Sequence, residues 1–125
     1  MTITDVEGFL ASGVASGIKN NKELDLALIT TEDHQPVPAA AVFTSNKMTA
    51  APVLVSRKHL KVTGGAASTV VLNSGNANAA TGEQGLLDAE MMCQLTAQGL
   101  GCESSEVLVC STAVSYTHLT LPTKA

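Results

Sequence analysis

Two short apolar runs constrain the fold more than anything else in this chain: Ser68-Thr69-Val70-Val71-Leu72 and Val107-Leu108-Val109-Cys110, with a helical pattern between them. Their length and β-branching favour strands over helix. The first run ends in Asn73-Ser74-Gly75-Asn76-Ala77-Asn78-Ala79, residues that break strands and favour turns. Thr81-Gly82-Glu83-Gln84 then has the form of a capping box, in which the Thr hydroxyl accepts from the backbone three residues on and Gln84 reaches back. Leu87, Met91 and Leu95 recur at four-residue spacing beside Leu86 and Ala97, while Asp88, Glu90, Gln94 and Gln98 can face solvent. That spacing predicts an amphipathic helix with the Leu87-Met91-Leu95 face toward the core, stopped at Gly99 and Gly101. A strand, a helix and a second strand in this order predict a crossover that sets the two strands parallel.

Upstream, residues 9–18 read as a pleated strand whose Gly13 and Gly17 let another backbone approach. Residues 25–31 are a second short apolar run, followed by a loop that Pro36 and Pro38 fix. Residues 39–44 read as a further strand, and Val53, Leu54 and Val55 make 52–56 another. Gly64-Gly65 marks a turn. The expected fold class is α/β: a layered mixed sheet with at least one strand-loop-helix-strand unit. A chain of 125 residues supplies one core.

Composition removes several functions. The 45% apolar content is mostly Ala, Val and Leu, with one Tyr, two Phe and no Trp, so no stacking platform for bases is available. Net charge is -4, and the basic residues gather only at Arg57, Lys58 and Lys61, which is no footprint for nucleic acid. No run approaches the roughly 18 apolar residues of a membrane span, and no leader pattern opens the chain, so a cytoplasmic protein is expected. Cys93, Cys102 and Cys110 show no Cys-x-x-Cys spacing and read as reduced, mostly buried thiols, Cys110 as a small hydrophobe closing its strand. His34, His59 and His118 lack metal-like spacing and read as solvated loop or edge residues; no metal site is expected.

Chemistry, if present, belongs at the strand ends. Ligands of open α/β sheets sit beyond the carboxyl ends of parallel strands, so the tips Asn73-Ser74-Gly75-Asn76 and Ser111-Thr112 are expected to line one crevice. Asn amides, hydroxyls and backbone N–H groups there suit a carboxylate or a developing oxyanion. The alternative is that Asn and Gly occur only because the chain turns. Cys110, Ser111 and Thr112 each carry a nucleophile type, but none has a His at a recognisable spacing to act as base.

Four stretches in fixed order resemble the amino-terminal part of the bifunctional glutamate N-acetyltransferase/ornithine acetyltransferase family of arginine biosynthesis. They are Gly8-Phe9-Leu10-Ala11-Ser12-Gly13-Val14-Ala15-Ser16-Gly17-Ile18-Lys19; Ala41-Val42-Phe43-Thr44-Ser45-Asn46 with Ala50-Ala51-Pro52-Val53; Val71-Leu72-Asn73-Ser74-Gly75-Asn76-Ala77-Asn78-Ala79; and Val107-Leu108-Val109-Cys110-Ser111-Thr112. The resemblance implies a precursor that cuts itself between Ala and Thr, the freed Thr becoming the nucleophile of a ping-pong acetyl transfer. Acetyl passes from N-acetylornithine, or from acetyl-CoA as a possible co-substrate, to glutamate; no bound cofactor is implied. It implies oxyanion-hole donors at Thr112 and Ala113, the latter where the family has Gly, and a substrate-binding or scaffolding role for Asn73, Asn76 and Asn78. The partner implied is the β chain of the same precursor, with the enzyme a dimer of αβ units.

Residues 1–113 correspond to part of the family's α chain, while the cleavage motif, nucleophile and later substrate ligands are expected downstream of this chain. Residues 114–125, with Val114-Ser115-Tyr116-Thr117-His118-Leu119-Thr120-Leu121-Pro122-Thr123, resemble a translated sequencing adaptor. The expectation is an inactive segment of an acetyltransferase, with open strand edges that favour association. Two rival classes remain: a self-processing aminopeptidase of related fold, and a non-catalytic module that binds a small anion.

Overall fold

In a computed structural model, residues 2–19, 22–75 and 77–112 are described. Asn76, Ala113, His118 and the 114–125 tail lie outside these residues. A sheet of order β1-β2-β5-β6 is built from β1 (Phe9–Val14), β2 (Leu26–Thr31), β5 (Thr69–Ser74) and β6 (Val107–Thr112). Strands β1, β2 and β5 are antiparallel neighbours, and β5 and β6 are parallel, as the crossover predicts. A short ribbon pairs β3 (Val37–Pro38) with β4 (Ala66–Ala67). The helices are α1 (Ala51–Thr63) and α2 (Gly82–Leu100).

The helices cover one sheet face. Val71, Val107 and Val109 meet Ala51 and Val55 of α1 and Ala89, Cys93 and Ala97 of α2 in a single buried cluster, against which Leu26 and Leu28 pack. The alternation of β5 follows from this: Thr69, Val71 and Asn73 are buried toward the helices, while Val70, Leu72 and Ser74 are half-exposed on the other face.

Several expectations change. Residues 52–56 are not a strand but the opening of α1, with Pro52 in the first helical turn and Gly64 closing the helix in the left-handed conformation. Residues 39–44 form no strand either: Ala39 N–H reaches Gly65 O, and beyond it Val42 is fully exposed. The Arg57 guanidinium lies over the Phe43 ring at 5.2 Å instead.

The buried face of α2 is Gly85, Ala89, Cys93 and Ala97, whereas Leu87, Met91 and Leu95 are 58%, 50% and 60% exposed. Series offset by two residues lie about 200° apart on a helix, so the predicted face points away from the sheet. Nor does Thr81 cap α2 through its side chain. Its hydroxyl donates to the Asn78 carboxamide oxygen, and Gln84 turns to Asp88 at 2.8 Å.

His59, expected in a solvated position, is buried in α1, and Nδ1 donates to Val107 O at 2.8 Å. Ser56, one turn earlier, accepts from Val109 N–H at 3.0 Å and donates to Val109 O at 2.8 Å. The two side chains partner Val107 and Val109 on the outer edge of β6, so α1 covers that part of the edge, while β1 is exposed along its length. Cys110 also departs from expectation, facing solvent on the uncovered side of the sheet, while Cys93 is buried and Cys102 half-buried. All three thiols are free.

Ser56→Ala leaves a buried N–H and C=O of β6 without partners and is expected to cost about 1–3 kcal/mol in urea unfolding. The inverted α2 face gives a second test. Ala89→Leu overpacks the core and costs about 1–3 kcal/mol, whereas Leu87→Ala changes stability by no more than about 0.5 kcal/mol; the opposite ranking would restore the predicted face.

Candidate functional site

Parallel pairing brings the carboxyl ends of β5 and β6 side by side, with Asn73 opposite Ser111 and Ser74 opposite Thr112. The pleat then sends these pairs to opposite faces, so the one expected crevice becomes two clefts.

Toward the helices, the Ser111 hydroxyl donates to the Asn73 carboxamide oxygen. Here a cleft of about 340 Å³ is bounded by Ser16, Ile18, Asn73, Asn78, Met92 and Ser111. Asn78 is buried, in the left-handed conformation with φ 49°, and its Nδ2 donates to Gly85 O at 2.8 Å. A Cβ on Gly85 would collide with the Thr81 hydroxyl and the Asn78 carboxamide, so this lock over the start of α2 requires glycine there. Asn73 and Asn78 thus have their amides engaged in holding the strand tip and the helix start.

On the uncovered face a smaller cleft, about 190 Å³, is lined by Gly13, Leu24, Asp25, Leu72, Ser74 and Thr112. Thr112 is exposed there. Apolar Leu24 and Leu72 stand there beside hydroxyls and a backbone edge, a small cleft of mixed polarity.

Sequence reasoning missed Asp25, which is 2% exposed. Its Oδ1 accepts from both the Ser16 backbone N–H and the Ser16 hydroxyl at 2.6 Å, and Oδ2 accepts from Lys19 N–H at 3.0 Å. Its own N–H donates to Val14 O at 3.0 Å, and its carbonyl accepts from Ser74 N–H at 2.9 Å. One residue therefore ties the end of β1, the 16–19 loop, the start of β2 and the tip of β5. The available signal was an acid directly before an apolar strand, opposite a Ser-Gly turn. The loop lies against Gly75, where a Cβ would stand 2.9 Å from Ile18 Cγ2; with φ 98°, glycine is needed on both counts.

The Ser16 hydroxyl, then the backbone N–H groups of Lys19 and Ser16, hold the Asp25 carboxyl well below the usual carboxylate range. Neither Cys93 nor Cys110 is poised as a nucleophile. Burial, with Glu90 nearby, pushes Cys93 up to about 12, and desolvation by the surrounding strands raises Cys110 although its side chain meets solvent. Among the described residues no His, Cys, Asp and Glu cluster could hold a metal ion, and no helix is long and apolar enough to cross a membrane.

A mixed sheet with two helices on one face is a partial α/β domain, and comparison with known proteins fixes the family. The ArgJ family profile matches residues 10–123, so the chain belongs to the ArgJ family. It is 47% identical over 114 residues to the arginine biosynthesis bifunctional protein ArgJ of Streptomyces avermitilis, covering 91% of this chain and 29% of that protein. The Geobacter sulfurreducens protein of the same name is 47% identical over 110 residues, covering 88% of this chain and 27% of its own length. Among solved structures, ArgJ from Bacillus halodurans superposes with a TM-score of 0.84 at 38% identity, over 91% of this chain and 58% of that one. Ornithine acetyltransferase from Mycobacterium tuberculosis, complexed with ornithine, superposes with a TM-score of 0.75 at 44% identity, over 88% and 58%. The chain thus spans less than a third of these curated relatives and just over half of each solved chain.

Because the carboxyl of Asp25 titrates below its ordinary value of 3.8 when folded, its contribution to stability is full above that pH and is lost as pH falls toward the lowered value. Amide exchange at Ser16 and Lys19 is expected to stay slow from neutral pH to about 4 and then accelerate relative to other strand-end amides. Uniform acceleration across the sheet would count against Asp25 as the cause.

Proposed function

We propose that this chain is the amino-terminal part of an ornithine acetyltransferase α chain, which moves acetyl from N-acetylornithine, or from acetyl-CoA, to glutamate in arginine biosynthesis. The observation that carries this is the exposed Thr112 hydroxyl at the end of a parallel strand, in a cleft with Leu24 and Leu72, within a chain of the ArgJ family. In this reading Thr112, with the backbone at Ala113, donates to the oxygen of the tetrahedral intermediate. Such donors act because the charge they meet develops only in the transition state.

The attacking Thr and the general base are supplied by other parts of the precursor, so this segment carries half a pocket. Asn73, which borders both clefts, and Asn78, which holds the start of α2 behind the sheet, serve as scaffold, a role assigned to Asn76 as well. The β chain of the same precursor completes the enzyme, which assembles as a pair of αβ units in the cytoplasm and takes only small molecules as substrates.

The 125-residue chain alone is expected to release no ornithine from N-acetylornithine above background. The full precursor containing this segment should transfer acetyl to glutamate, with Thr112→Ala lowering kcat by about 10²–10³-fold at little change in KM. A precursor that hydrolyses peptide amides and transfers no acetyl would assign it to the aminopeptidase class instead.

A further inference from the structure

We infer that Asp25 is a positioning residue for the Thr112 donor, acting through the β5 tip. The inference deepens the acetyl-transfer reading above and rests on it for its kinetic part. Asp25, Ser74 and Thr112 form one row across three strands on the uncovered face. The Asp25 carbonyl accepts from Ser74 N–H at 2.9 Å, and Ser74 pairs with Thr112 in the parallel register. All three border the same cleft.

What fixes the row is the carboxylate. A β2 start held only by its ladder would fray, because the last bonds of a sheet open most easily. Asp25 prevents this by accepting three hydrogen bonds from Ser16 and Lys19 while its main chain bonds to Val14 and Ser74. The charged groups of Lys19 and Glu23 lie 3.9 Å apart in a partly exposed pair. They do not replace the backbone and hydroxyl donors that reach the carboxylate. A buried acid placed against two N–H groups and one hydroxyl is more than a β2 start requires, since any residue could supply the same main-chain bonds.

An oxyanion donor works only when it is fixed, and a shift of about 1 Å in a reacting group costs on the order of 10²-fold. Asp25→Asn keeps the size but turns an NH2 group toward donors, loosening the 16–19 loop and the Ser74 end. In the full precursor, kcat per active site should fall by about 10- to 10²-fold with KM within about twofold. In a Thr112→Ala background the same substitution should cost less than about threefold, because the donor it positions is already gone. A purely structural role would lower the melting temperature and give equal losses in both backgrounds, which overturns the inference.

Ser16→Ala removes one donor and keeps the backbone ones, and should show the same non-additivity on a smaller scale should Asp25→Asn fail to fold. Amide resonances of the full precursor supply a readout independent of turnover. Ser74 and Thr112 should both shift in either variant, and an unmoved Thr112 rejects the positioning role whether or not the protein transfers acetyl. Absence of acetyl transfer by the wild-type precursor, with those shifts present, rejects the acetyltransferase reading alone.

Discussion

The parallel pairing of β5 with β6 is the constraint from which the rest of the structure follows. Parallel neighbours cannot be joined by a hairpin, so the chain must leave the sheet, cross one face as α2 and return. That crossing succeeds because the side of α2 turned to the sheet is Gly85, Ala89, Cys93 and Ala97, small enough for the helix to lie close over Val107 and Val109. With β6 placed at the outside of the sheet, its free edge would be a template for another chain. Ser56 and His59 of α1 supply side-chain partners there, so the same helix fills the core and covers part of the edge.

Much of this architecture was legible. The runs around β2, β5 and β6, the helix over 82–100 and the parallel relation all follow from periodicity, run length and connection rules. Where the reading failed, tertiary context outweighed local preference. Val53, Leu54 and Val55 favour a strand, but Pro52 belongs in a first helical turn, and the pattern continues through Leu60 to a left-handed Gly64. On α2, two four-residue series compete and the larger side chains took precedence. Hydropathy cannot say that a helix packed against a sheet and a second helix needs its small residues inward.

His59 was unreadable for the same reason: its partner, Val107 O, is 48 residues away and becomes available only at a sheet edge. Cys110 follows the pleat, alternating with the buried Val109.

The candidate site was legible to the level of strand ends and no further. Sequence order puts 73–76 and 111–112 at equivalent places in a crossover, and the register sets them adjacent. Which side chains share a face depends on register to a single residue, because the pleat has a period of two. Asn73 pairs with Ser111 and turns inward, where a buried carboxamide must be satisfied and so serves the fold. Ser74 and Thr112, one step on, turn to the uncovered face, where they border the smaller cleft.

Asp25 enters this row only through its main chain, from a strand that precedes β5 by more than 40 residues, so no motif spacing reveals it. Composition makes the same point from the other side: most acids here are exposed, and a single acid held by Ser16 and Lys19 looks no different in sequence from the rest. The polar residues that a motif search finds first, Asn73 and Asn78, hold the strand tip and the helix start, and the face that the pleat leaves open carries the smaller cleft.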